Sequence, residues 1–292
     1  MLDLGFRTHD FGRKFDDAAQ LGQVAASYRK NACLHFAPYK VLEDTPRPMN
    51  DRWAYDTRMA LDESGVRVAV LGCYVNPVHP DPEKLEQELL KFENGLDVAE
   101  SLGASLVATE TGSIDPRNIR CEETWTDRNW ARFLRTVERL LKKAEKNNVV
   151  MALEAVADKN TIDTPQRMFS VMETFRSPNL RCLFDAVNIM PINSLDDYYS
   201  WYDEAVAMLA PYIRAMHLKD FVWTDSSTEF PYATGPMKKG TIPIGEGLFP
   251  WKTVFGIYRK YGVDNVPMTL ENFRPETLAR SIEYVEKTYA EA

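Results

Sequence analysis

The 292-residue sequence lacks the features that mark several large classes of protein. It has no apolar run near the roughly 18 residues needed to cross a bilayer. It has no block dense in Lys or Arg, and its net charge is −8. Neither nucleic acid nor an anionic membrane is therefore expected as its partner. Asp3, Arg7, Asp10 and Arg13 break the first residues, so no secretory h-region opens the chain. The four cysteines, Cys33, Cys73, Cys121 and Cys182, make no CxxC unit. Three of them lie in or beside apolar runs, as reduced core thiols do, and a cytoplasmic location is expected. No GxGxxG follows the first apolar strand, since Phe6 to Gly12 has none, which weighs against a doubly wound dinucleotide-binding sheet.

What is present is a rhythm. Short apolar runs at 2–6, 32–36, 66–73, 105–108, 149–153, 180–184, 213–216 and 266–270 have the length and composition of buried strands. Stretches of helical periodicity separate them. The clearest, about 127 to 146, places Trp130, Phe133, Leu134, Val137, Leu140, Leu141 and Ala144 on one face. Asp81-Pro82 and Thr164-Pro165 read as helix starts, and Gly103 as a helix stop. Trp53, Met59 and Leu61 mark another helix, and Ser194 starts one carrying Tyr198, Trp201, Tyr202, Ala205 and Leu209. Residues 37–50, with Pro38, Pro46 and Pro48, read as loop. Short strands alternating with helices imply right-handed βαβ units and a parallel sheet. Eight such units close into a single-domain (β/α)8 TIM barrel spanning residues 1–292.

Residues 221–247 break the rhythm. They are long, aromatic and rich in Gly, Pro and Ser. A loop of that length is usually functional, and a lid over the barrel mouth is expected, with Phe221, Trp223, Phe230 and Tyr232 facing substrate.

In a TIM barrel the residues at strand C-termini converge on one face. Glu154, Asp185, His217 and Glu271 each close one of the last four apolar runs. One strand-end acid alone is ordinarily a capped turn or a surface ion pair. Four ligand-type residues on consecutive strands, with strands roughly 4.8 Å apart, can ring one ion. Three carboxylates and an imidazole suit Mn²⁺, Mg²⁺ or Co²⁺, with Zn²⁺ a further candidate.

Glu154 in ALEAV, Asp185 in LFDAVN, His217 in MHLKD and Glu271 in LEN, with Pro243–Gly247 reading PIGEG, resemble the metal site of the xylose isomerase-like TIM barrels. That superfamily includes sugar and sugar phosphate isomerases and epimerases, inosose dehydratases and endonuclease IV. The resemblance covers nearly the whole chain. It implies a divalent metal at Glu154, Asp185, His217 and Glu271, with Glu154 and Glu271 also moving protons as the acid/base pair. The implied substrate is a small polyhydroxylated carbonyl compound, converted through a metal-stabilised enediolate. Inosose-type dehydration on the same site is the alternative. A metal- or sugar-binding protein without turnover belongs to a third class, against which both glutamates argue.

The sequence also departs from relatives. Asn188 stands where many have a histidine, and Lys219 is the cation near His217 where ketose 3-epimerases usually have an arginine. Residues 221–247 hold no histidine, and endonuclease IV needs several for its zinc ions. His9 and His79, at strand ends, are expected either to touch substrate hydroxyls or to serve their turns. Glu110 is expected to bind substrate or support the metal shell, and Lys219 to reach a substrate oxygen or pair with a carboxylate. Asn188 and Trp223 are expected to contact substrate. His35, inside a strand, reads as a satisfied barrel histidine. The sugar, its phosphorylation and any homo-oligomer stay open.

Overall fold

In the computed structural model, which describes residues 2–117, 119–190, 198–224 and 238–292, eight parallel strands close into a barrel. They are β1 (Leu4–Arg7), β2 (Cys33–Phe36), β3 (Arg67–Gly72), β4 (Leu106–Glu110), β5 (Met151–Glu154), β6 (Leu180–Asp185), β7 (Ile213–Leu218) and β10 (Met268–Leu270). Around the ring each strand pairs with its neighbour in sequence, and β10 closes on β1 through Leu4↔Met268, Gly5↔Thr269 and Phe6↔Leu270. On its other side β1 packs tightly against β2 at Gly5, where a Cβ would stand 1.6 Å from the Cys33 carbonyl oxygen.

Two further strands were not expected. β8 (Asp220–Thr224) and β9 (Lys238–Ile242) pair antiparallel, from Asp220↔Ile242 to Thr224↔Lys238. The Gly, Pro and Ser content of 221–247 concealed the β-prone Phe221-Val222-Trp223-Thr224 run. Residues 225–237, including Phe230 and Tyr232, lie outside the described residues, as does the expected helix start at Ser194. Phe221 is fully buried against Phe249, so it serves the core and not a lid face.

Each barrel strand is followed by an outer helix, and five of these helices carry capping chemistry at their start. Asp17, Asn50, Thr126 and Thr164 accept backbone N–H groups of the first turn, and Asp81 accepts two, with Pro82 first in the helix. Gly103 ends Pro82–Leu102 in the left-handed conformation at φ 71°. Helix Asp127–Lys146 buries Phe133, Val137, Leu140, Leu141 and Ala144 and is pinned to Pro82–Leu102 by Arg139, which forks onto Glu86 and Glu93. The Asp51–Glu63 helix forms as expected; it buries Ala54, Thr57 and Leu61, while Met59 faces solvent. Small residues on that face let the helix approach its neighbours. Residues 37–50 also hold a helical turn, Pro38–Val41, because Pro38 supplies a preset first position. Among the described residues no helix is long and apolar enough to cross a membrane.

The barrel interior is a second, separate core of small residues, among them Cys33, Val70, Ala108, Ala152, Leu183 and Ala215. Strand side chains alternate with a period of two. The residues two positions beyond these, at the C-terminal rim, therefore point inward as well. They are His35, Gly72, Glu110, Glu154, Asp185 and His217.

Candidate functional site

The alternation brings Glu154, Asp185, His217 and Glu271 together, each offering one ligand atom within 4.8 Å of the others. All four are buried. Asp185 is aimed by its own turn: its Oδ1 accepts the N–H groups of Val187 and Asn188 at 2.9 and 2.7 Å, which leaves Oδ2 for the site. Asn188 then donates to Glu154 Oε1 at 2.7 Å. Lys219, next but one after His217, lies 2.8 Å from Asp185 Oδ2 and 2.9 Å from Glu271 Oε1. Arg7, from the end of β1, donates to Glu271 Oε1, forks onto Asp10 and reaches Asn272 Oδ1 at 2.7 Å.

The charges of the two glutamates are set differently. Burial pushes the Glu154 carboxyl up; His217 opposes this, while Glu271 and Asp185 add to it, and the group stays raised. Burial also works to raise Glu271, but Arg7, Lys219 and His217 outweigh it and hold the group well below the usual carboxylate range. Burial disfavours the His217 cation, yet Glu154 and Glu271 overcome that and raise it well above an ordinary imidazole. Lys219 is likewise raised by Asp185 and Glu271 against burial.

The donor set fits a hard divalent ion. Asp185 Oδ2 and Glu271 Oε2 are buried and without an aligned hydrogen bond, although Lys219 and His217 Nδ1 approach them closely. Buried carboxylate oxygens without aligned partners are costly in a finished protein. With buried Glu154 as the third acid, these two converge with one imidazole nitrogen, the composition that Mn²⁺, Mg²⁺ or Zn²⁺ takes.

The other anticipated residues are spread around the mouth. Glu110 neighbours Glu154 across β4 and β5 but is outside the four-residue group; its Oε2 accepts from Asn160 at 3.0 Å. It lines a cavity of about 350 Å³ with Lys40, Tyr74, Asn76 and His79. His79 Nδ1 accepts the Asp81 N–H at 3.1 Å, so that nitrogen belongs to its turn. His9 sits in a turn, Thr8–Phe11, beyond β1, with its edge against the Tyr74 ring. Its Nδ1 is buried without a hydrogen bond, and burial, Arg7 and Lys40 lower it to about 3, so it is neutral. Trp223 lies on β8 and its side chain is outside the described residues.

Sequence reasoning missed three residues here. Arg7 and Asp10 were read only as charges that break an N-terminal apolar segment. Arg7 ends β1, and a cation at a strand end of a barrel was the available signal. His35 touches His217, with its Nδ1 2.7 Å from His217 Nε2. Burial, and then His217, hold it well below an ordinary imidazole. The β8–β9 hairpin roots at the same rim: Asn272 donates to Thr241 Oγ1 at 2.8 Å. Asp220 ties down the PIGEG turn by accepting from the N–H groups of Phe221, Gly245 and Phe249.

A family model described as xylose isomerase-like TIM barrel matches residues 15–288. No curated protein matches the sequence. Among solved structures, D-psicose 3-epimerase with D-tagatose from Clostridium cellulolyticum H10 is similar at TM-score 0.73 and 16% identity, with 99% of each chain covered. The probable 3-DHS dehydratase AsbF from Bacillus anthracis follows at 0.70 and 14%, covering 98% of this chain and 99% of its own. A xylose isomerase-like TIM barrel protein from Mycobacterium smegmatis in complex with magnesium reaches 0.64 and 18%, covering 94% and 89%.

Proposed function

The chain belongs to the xylose isomerase-like TIM barrel family, and on that premise we propose that it is a divalent-metal-dependent isomerase or epimerase of a small polyhydroxylated carbonyl compound. The observation that carries the reading is the convergence of four buried ligand atoms within 4.8 Å at the barrel's C-terminal rim. Similarity to an epimerase and a dehydratase fits enzymatic use of that rim.

Glu154, Asp185, His217 and Glu271 would hold the ion. When bound, it would polarise the substrate carbonyl, acidify the adjacent C–H and stabilise the enediolate. Glu154 and Glu271 stand on β5 and β10, which are not neighbours in the ring, so their carboxylates approach a bound carbon from different sides. One removes the proton and the other returns it. They are unequal: Glu154 is braced by a neutral amide, and Glu271 by two cations. Environments that push two carboxylates apart in this way assign them different shares of the proton traffic. Glu154, braced without added charge, and Glu271, braced by cations, are both assigned to proton transfer as well as to holding the ion. His9, His79, Glu110, Asn188, Lys219 and Trp223 are assigned to substrate contacts around the mouth.

The test is metal analysis of purified protein, followed by a panel of ketoses and inososes in D₂O. Deuterium entering substrate or product at the carbon next to the carbonyl is expected. Exchange with loss of water from an inosose would move the assignment to a dehydratase. A metal-bearing protein that exchanges no C–H in any member of the panel would count against proton-transfer catalysis altogether.

A further inference from the structure

We infer that His35 is a positioning residue that fixes which nitrogen of His217 can bind a metal; this rests on reading His217 as a ligand. His217 Nδ1 faces the carboxylates, at 3.3 Å from Glu154 Oε1, 3.6 Å from Asp185 Oδ2 and 2.7 Å from Glu271 Oε2. Its Nε2 points the other way, 2.7 Å from His35 Nδ1. The nitrogen available to an ion is therefore Nδ1, and its lone pair is free only when the proton sits on Nε2.

Two facing ring nitrogens at hydrogen-bond distance must be one donor and one acceptor. The ring centroids are 4.8 Å apart and the planes differ by 29°, so the rings meet edge to edge and the contact lies along the lone-pair direction. A proton on His35 Nδ1 would force the His217 proton onto the nitrogen that faces the carboxylates. A proton on His35 Nε2 makes His35 Nδ1 the acceptor, keeps a proton on His217 Nε2, and lets His217 Nδ1 give up its own proton to an incoming ion. The tautomer of the one ring dictates that of the other.

The second arrangement is the one that metal binding at His217 Nδ1 requires, and the surroundings of His35 accommodate it. Its Nε2 lies 3.3 Å from Tyr74 Oη, which supplies an acceptor for an Nε2–H. The Tyr74 and His35 planes are parallel within 4°. Gly72 leaves the space: a Cβ there would stand 2.5 Å from His35 Nε2. The register of β2 against β3 shifts between Leu34 and His35, a bulge of the kind that re-aims a side chain beside a site. Tyr74 itself lines the cavity at the mouth, so the hydrogen-bond line runs from the ligand to the substrate wall.

The measurement is ¹⁵N–¹H correlation of the histidine rings, metal-free and with diamagnetic Zn²⁺, together with Zn²⁺ affinity by competition with a chromophoric chelator. His35 is expected to carry its proton on Nε2 in both states. A proton on His35 Nδ1 overturns the assignment, whether or not the protein binds metal. His35→Asn keeps an oxygen acceptor where Nδ1 stands, and His35→Phe keeps a ring without one. His35→Phe is expected to weaken Zn²⁺ binding about 10- to 100-fold, with His35→Asn within a few-fold of the wild type. Equal binding by His35→Phe, or equal losses in both variants, would show that His35 only fills space. Should His35→Phe not fold, Gly72→Ala, which displaces the ring, carries the same expectation. A wild type that binds no divalent ion would refute the metal reading of the four-residue site separately, while the ring-proton result still decides the tautomer.

Discussion

Asn188 donates its Nδ2–H to Glu154 Oε1 at 2.7 Å, so the residue that replaces a frequent family histidine braces a carboxylate. An amide holds that oxygen without adding charge, and so leaves Glu154 free to take and release a proton. The same asymmetry separates the two glutamates in the first prediction. Removing a carboxylate base costs on the order of 10²–10⁴ in rate. With excess Mn²⁺ present, Glu154→Gln should lose turnover and solvent-deuterium exchange together by that amount. Glu271→Gln should lose comparable rate and, in addition, metal affinity, because it leaves Arg7 and Lys219 as cations beside the ion. Near wild-type rates in both metal-replete variants would return the search for a base to Glu110, His79 or Lys219.

Metal uptake should release protons. In the metal-free protein the carboxylates raise His217 well above its ordinary value, so it is charged at neutral pH. Binding an ion at Nδ1 must expel that proton. Affinity therefore rises with pH, about tenfold per unit for one proton, until His217 is already neutral, and it falls on acidification. Calorimetry at pH 7 in buffers of different ionisation enthalpy should count about one proton per ion.

Chelation should lower thermal stability. An ion that binds only the folded state adds about 2.7 kcal/mol at a free concentration one hundred times its Kd. A melting temperature that EDTA and added Mn²⁺ leave unmoved would mean that no such site is filled.

Arg7→Met should destabilise the fold by about 3–5 kcal/mol, the usual cost of stranding one side of a buried ion pair. It deprives both Asp10 and Glu271 of their guanidinium. Acidification should recover part of the loss in the variant, since protonating Asp10 relieves the uncompensated charge. Denaturant titrations at two pH values check both statements.

Gly247→Ala should loosen the hairpin root without touching metal affinity. A Cβ there would lie 2.3 Å from Asp220 Oδ1 and 2.4 Å from the Phe221 oxygen. Asp220 would lose its grip on the turn, and faster amide exchange at Gly245 and Phe249 is the expected signature.

The meeting of Glu154, Asp185, His217 and Glu271 was legible because each closes an apolar run, and strand alternation carries all four to one rim. Helix starts were legible for a local reason: Asp81-Pro82 and Thr164-Pro165 write their caps within three residues. Arg7 and His35 were not, since their partners lie 264 and 182 residues away and no local pattern announces a cross-barrel pair. The helix Asp51–Glu63 was legible from Trp53 and Leu61, whereas Met59 on the same helix faces solvent. The hairpin was hidden by the composition of the segment between its strands.

The joint between β1 and β10 has a consequence for synthesis. Arg7 is made 264 residues before its partner Glu271. Until Met268–Leu270 docks between β1 and β7, the ring is open and the cluster lacks a ligand. A chain grown only as far as β7 therefore carries Glu154, Asp185 and His217 without Glu271 to complete the cluster. Long-range closure of this kind is intrinsically slow, because the entropy of closing the loop is lost before the contact forms.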